Sequence, residues 1–228
     1  MVAGASGGIG NSIAKCLFSK GYSLSLGARK LDKLTAWAAQ EDSDRILVHA
    51  YEATDPANNK EWVKATVDRF GRIDGLVNSA GMGGMVNLED EDEETFDKLW
   101  EVNAKGPMRM TRLTLPYLRK SGSGRIVNVS SLSGKRVTND GTGYALSKFA
   151  LQAVTHATRR AGWDDGVRAV ALCPSWVNTD MAASATGISR DDMIQPDDLA
   201  ELTATVMALP NGAAVAELLV NCTLGDLF

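Results

Sequence analysis

Met1-Val2-Ala3-Gly4-Ala5-Ser6-Gly7-Gly8-Ile9-Gly10 decides the fold. Residues 1–3 read as a strand, the glycines as a turn, and 9–20 as a helix. Glycine lets a backbone turn sharply and approach a ligand with no Cβ in the way. A helix start just beyond it presents free N–H groups and the positive end of its dipole, which suits a pyrophosphate. The spacing is G-x-x-x-G-x-G, not the commoner dinucleotide fingerprint G-x-G-x-x-G. A bare tight turn would carry the same glycines, so the rest of the chain has to decide. Strands usually run about five or six residues, so this short one predicts further chain upstream of Met1.

Working outward, short apolar stretches alternate with helical ones. Strands are predicted at 22–27, 46–50, 74–78, 125–130, 167–172 and 215–220. Helices are predicted at 31–40, 56–70, 93–103, 144–160 and 197–208, with Pro56 a favoured first residue. Pro107 predicts a break before a further helix to Arg119. Short apolar strands separated by helices indicate a parallel sheet covered on both faces. Right-handed crossovers then favour one doubly wound, Rossmann-type α/β domain over 1–228, with about seven strands. The acidic run 89–94 reads as a solvated helix start.

Composition narrows the function classes. A net charge of −4 lacks the basic footprint of a nucleic-acid binder. No apolar run approaches the length of a membrane span. No basic-then-apolar leader precedes the domain, which predicts no export and a cytoplasmic protein. Cys16, Cys173 and Cys222 form no C-x-x-C pair and the chain has two histidines, so no metal site is expected. The thiols read as reduced.

The chemistry is carried by Tyr144-Ala145-Leu146-Ser147-Lys148. On a helix, i and i+4 share a face, so phenol and ammonium point into one site. A cation about 4 Å away is worth at most roughly 4 kcal/mol at an effective dielectric of 20. That predicts a tyrosine pKa lowered by up to roughly three units from about 10. Such a group can give a proton to a carbonyl oxygen or take one from an alcohol. Ser131 follows strand 125–130, where parallel sheets present their carboxyl ends to ligand. Its hydroxyl suits a developing oxyanion, although Ser130 and Ser133 are chemical rivals. His156 lies on the Tyr144 helix but off that face. After strand 22–27, Arg29 stands in the window where an acid would hold the 2′-hydroxyl of NAD. An arginine there suits the 2′-phosphate of NADP, with NAD the alternative. The glycine loop lacks the G-K-[ST] ending of a nucleotide hydrolase.

The order of these motifs resembles the short-chain dehydrogenase/reductase family over nearly the whole chain. The glycine turn, Asn78-Ser79-Ala80-Gly81, Asn103, Ser131, Tyr144/Lys148 and Pro174-Ser175-Trp176-Val177-Asn178-Thr179 stand in the family's order. The step from Ser131 to Tyr144 matches as well, which favours Ser131 over its neighbours. The resemblance implies Tyr144 as general acid/base, Lys148 on the nicotinamide ribose, Ser131 orienting the carbonyl, and Asn103 holding a relay water. Gly4, Gly8, Ile9 and Gly10 would line the pyrophosphate, and Ser6 and Arg29 the adenosine ribose or its phosphate. Asn78, Ala80 and Gly81 would flank the cofactor. Pro174, Val177 and Thr179 would lie along the nicotinamide.

A short substrate lid is implied near 180–195. Met82, Leu132, Thr138, Trp176 and Met181 would wall the pocket for a small carbonyl or alcohol. A homo-oligomer, dimer or tetramer, is implied through the helices bearing Leu113, Leu115, Phe149, Leu151 and Val154, residues that fit either such an interface or packing on the sheet. Rival readings are an NAD-dependent alcohol dehydrogenase and a dinucleotide-binding protein without turnover. Four positions depart from the family's pattern: Ala3 for threonine, Glu52 for aspartate, Ser79 for asparagine and Ser175 for glycine.

Overall fold

The computed structural model describes residues 1–41, 43–137, 139–182 and 186–224. Its centre is a seven-stranded parallel sheet. The strands are β1 Val2–Ala3, β2 Leu24–Ala28, β3 Ile46–Ala50, β4 Gly75–Asn78, β5 Arg125–Val129, β6 Arg168–Pro174 and β7 Glu217–Val220. Their spatial order is β3-β2-β1-β4-β5-β6-β7. Val2 stands opposite Leu26 on one side and Val77 on the other. The strand order therefore reverses between β1 and β4, and such a switch point opens a crevice beyond the strands' carboxyl ends.

The helices are α1 Gly8–Ser19, α2 Asp32–Ala38, α3 Pro56–Phe70, α4 Glu93–Trp100, α5 Gly106–Ser121, α6 Thr142–Gly162 and α7 Pro196–Ala208. They bury two apolar clusters. One joins Ile13 and Leu17 of α1 to Leu34 of α2 and Leu199 of α7. The other joins Trp62 of α3 to Leu76, and to Met110 and Leu118 of α5. Local chemistry explains the sharpest boundaries. The Asp55 carboxylate accepts from Ala57 N (2.9 Å) and Asn58 N (3.1 Å) ahead of Pro56. Gly71, at φ 74°, ends the same helix in the left-handed region.

The sheet order and helical cover agree with the doubly wound expectation. Pro107 does not break the chain as predicted. It lies in the first turn of α5, directly after the wider turn, and offers no N–H to the carbonyls of the turn before it. Between α4 and α5 the helix widens into a π turn, Glu101–Lys105, in which Gly106 N donates to Glu101 O. Of the apolar residues that fit either an oligomer face or the sheet, Leu151 is core at 1% exposure, while Phe149 is 41% exposed. Leu113 and Leu115 pack on the α3/α5 cluster. Among the described residues no helix is long and apolar enough to cross a membrane.

Candidate active site

The first wall of the crevice is the glycine turn. Gly4 has φ 80° and Gly8 φ 50°, conformations that strain other residues. A Cβ on Gly4 would lie 2.6 Å from Ala80 N, and one on Gly10 only 2.3 Å from Gly4 O. Ser79 Oγ stands 3.2 Å from that second point, so the end of β4 closes on the turn. Gly4 N and Ala5 N both donate to Gly27 O, at 2.8 and 3.1 Å. No side chain caps α1 and no acid occupies its first turn. Its N-terminal N–H groups are thus left for an anion. Ser6 and Ile9 are half-buried beside the exposed Gly7 and Gly8. We expect Gly10→Ala to cost about 1–3 kcal/mol of stability by overpacking. Dinucleotide affinity should fall at least about tenfold as the turn opens. Thermal melts and cofactor fluorescence titrations check both.

The second wall is the end of β4. Asn78 is buried, and its Nδ2 donates to Asn128 Oδ1 at 2.8 Å. Asn128 Nδ2 in turn donates to Thr155 Oγ1 at 2.8 Å. The Asn78 amide nitrogen is therefore engaged inside the protein, whereas its Oδ1 is buried without a hydrogen-bond partner among the described residues. Beyond it, Gly81 is exposed, and a Cβ there would lie 3.2 Å from Asn103 Oδ1 and 3.7 Å from Lys148 Nζ. Asn103 sits in the π turn. Its Oδ1 accepts from Met82 N and its Nδ2 donates to Met82 O, both at 2.9 Å. Nδ2 also donates to Ser147 Oγ at 3.0 Å, and Ser147 Oγ donates to Tyr144 O at 2.7 Å. Ser147 is a site residue that the sequence reading passed over. Its signal was available, three residues after Tyr144 on the same helical face.

α6 brings Tyr144 and Lys148 to this cleft. Lys148 Nζ donates to Val129 O at 3.0 Å and lies 5.5 Å from the Tyr144 ring centroid. Burial lowers the Lys148 pKa to about 8. Burial also pushes the Tyr144 hydroxyl up, opposed by a hydrogen bond from Ser131. The lowered tyrosine pKa predicted from spacing is thus corrected: desolvation outweighs the Ser131 hydrogen bond. Ser131 is the serine that reaches Tyr144. Its Oγ also accepts from Ser133 N at 3.1 Å, capping the 3-10 turn Leu132–Gly134. Ser130 is buried, and its Oγ donates to Lys148 O at 3.4 Å.

The third wall runs from Pro174. Ser175 Oγ accepts from Cys222 N at 3.0 Å, tying this loop to the chain after β7. Val177 is buried and forms a parallel bridge with Ile194, while Asn178 Nδ2 donates to Gln195 Oε1 at 2.9 Å. The Thr179 methyl lies 3.1 Å from a Cβ built on Gly8, so this loop meets the glycine turn across the cleft. Residues 183–185 of the expected lid lie outside the described residues, as does Thr138 of the expected pocket wall. Leu132 is buried and packs with Ala171 and Cys173. Met82 and Trp176 are half-buried, and Met181 is 51% exposed. Arg29 is exposed directly after β2, next to the turn that Gly27 O anchors.

Comparison with known proteins agrees with this geometry. A family model described as short chain dehydrogenase matches residues 1–187. An agropine synthesis reductase of Rhizobium rhizogenes is 45% identical over 97% of this chain and 52% of its own length. The chain thus spans about half the length of that curated relative. An alcohol dehydrogenase of the archaeon Thermococcus sibiricus, solved with 5-hydroxy-NADP, superposes with TM-score 0.90 at 30% identity, covering 100% of this chain and 97% of that one. A 3-ketoacyl-(acyl-carrier-protein) reductase of Brucella melitensis, solved with NADH, gives TM-score 0.89 at 28% identity over 96% and 95%.

Proposed function

We propose, from the premise that this chain belongs to the short-chain dehydrogenase family, that it moves a hydride between NADP(H) and a carbonyl or alcohol carbon with Tyr144 as general acid/base. The observation that carries the reading is Tyr144 and Lys148 one turn apart on α6, with Lys148 Nζ 5.5 Å from the phenol ring centroid and beside Gly81. The chain's residues fit the dinucleotide. The turn at Gly4, Gly8, Ile9 and Gly10 and the uncapped start of α1 would take its pyrophosphate. Ser6, Arg29, Asn78 and Ala80 would lie on its adenosine side. Lys148 and Gly81 would meet its nicotinamide ribose, and Pro174, Val177 and Thr179 would flank its ring. When bound, the nicotinamide supplies or accepts the hydride.

In reduction, Ser131 holds the substrate oxygen by a hydrogen bond. The Tyr144 hydroxyl would then give its proton to that oxygen, which becomes the alcohol oxygen of the product. Lys148, with a pKa of about 8, is mostly an ammonium at neutral pH and stabilises the phenolate left behind. The Asn103 side chain is engaged by Met82 and Ser147, so a relay water would use its main chain. A dimer or tetramer through the exposed face of α6 around Phe149 belongs to the same reading.

The test is a panel of ketones, aldehydes, acyl thioesters and the substrate of the agropine synthesis reductase, each with NADPH and read by absorbance loss. No turnover across the panel by the folded protein would refute the reading. NAD dependence is the second reading, favoured by the NADH-bound Brucella melitensis reductase. Arg29→Ala discriminates. It should weaken NADPH about tenfold or more, the scale of one charge-assisted phosphate contact, and leave NADH unchanged. Fluorescence titration with both cofactors measures this.

A further inference from the structure

We propose that Glu217, the first residue of β7, is a positioning residue that fixes the Ser131 hydroxyl against Tyr144. The inference rests on the reading of Ser131 and Tyr144 given above. One Glu217 carboxylate oxygen accepts from Lys135 Nζ at 2.6 Å, and the other accepts from His156 Nε2 at 2.8 Å. A single carboxylate thus joins the loop that carries Ser131 to the helix that carries Tyr144 and Lys148.

The connection to Ser131 is short and tight. Ser131 caps the 3-10 turn Leu132–Gly134, and Lys135 N donates to Leu132 O at 2.9 Å directly behind it. Gly134 packs so closely on α6 that a Cβ would lie 2.8 Å from Lys148 O. The turn is therefore held at its front by Ser131 and at its rear by Lys135. Exposed ion pairs usually contribute little. Here the Lys135 and Glu217 side chains are only 22% and 19% exposed, on a strand whose Leu219 is 40% exposed. Both carboxylate oxygens are used, and Lys135, with His156 assisting, holds the Glu217 carboxyl below the usual carboxylate range. The charged and titratable groups at the two centres are Lys135 and His156 around Glu217, Lys148 beside Tyr144, and Cys173 between them.

The experiment follows Tyr144 itself, by NMR of protein carrying ring-carbon-labelled tyrosine, with the signal assigned through Tyr144→Phe. The Ser131 hydrogen bond favours the phenolate. Glu217→Gln should therefore raise the Tyr144 titration midpoint by about one pH unit, the scale of one such bond. Glu217→Asp should recover part of the shift. NADPH affinity should stay within about twofold, because the glycine turn is untouched. On any substrate that turns over, kcat should fall about fivefold or more with the cofactor KM unchanged. Lys135→Met should reproduce these effects and carries the test if Glu217→Gln fails to fold. An unchanged Tyr144 midpoint in a folded variant would overturn the proposal. A parent protein that turns nothing over while its variants still shift the midpoint would count against the oxidoreductase reading, not against the clasp.

Discussion

Tyr144→Phe should lower carbonyl reduction by about a hundred- to ten-thousand-fold, the range for loss of a positioned general acid. NADPH affinity should stay close to that of the parent, since the hydroxyl makes none of the phosphate contacts. The ring remains and so does its packing on Lys148. What disappears is the proton-bearing oxygen that Ser131 bonds. Ser131 is no substitute, because an aliphatic hydroxyl is a far weaker acid than a phenol. Burial pushes the Tyr144 hydroxyl up, so it keeps its proton at neutral pH and reduction can proceed there. Alcohol oxidation needs the phenolate and should rise with pH through the alkaline range. Single-turnover rates in both directions, set against cofactor titrations, check the split between chemistry and binding.

Lys148→Met should make the protein more stable while removing its activity. The Lys148 pKa falls from 10.5 to about 8 on folding, because burial penalises its charge. At ~1.4 kcal/mol per pKa unit the charged form costs the fold about 3 kcal/mol. The sign follows from proton linkage. The unfolded lysine binds a proton up to pH 10.5 and the folded one only to about 8, so stability rises with pH across that window. Below pH 8 the whole cost is present. Methionine removes it but leaves Val129 O without its donor, which takes back about 1 kcal/mol. The net gain of about 2 kcal/mol corresponds to a melting point about 4–8 °C higher. Turnover should fall about a hundredfold or more with the ammonium gone. Melts at neutral and alkaline pH should show the variant's advantage shrinking as pH rises. A variant that melts lower than the parent at neutral pH would contradict this account.

Much of the frame was legible because local rules act over a few residues. Asp55-Pro56 and Gly71 bracket α3 at the boundaries their capping chemistry demands, and strand 46–50 is found where it was predicted. The site was legible where chemistry follows helical spacing, as with Tyr144 and Lys148. It was not legible where it depends on distant partners. Asn103 clamps Met82 across 21 residues, and no local pattern announces that contact. Spacing placed an ammonium beside a phenol but carries no information on how dry the pair is. The direction of the Tyr144 shift was therefore misjudged. Pro107 misled for a related reason. A proline marks either a break or a helix start, and only the backbone around Glu101 decides which.

The wide turn at Glu101–Lys105 has one more consequence. A π turn winds about one residue more than an α turn, so the faces on either side of it are out of phase by about 100°. Leu99 before it and Met110 after it both reach buried positions, while Asn103 within it is free to aim at Met82. The rod thus acts as a phase shifter inserted between two packed halves. A change of length at this point would turn the buried face of one half by about 100° against the other, so the same turn sets both the packing of the two halves and the aim of Asn103.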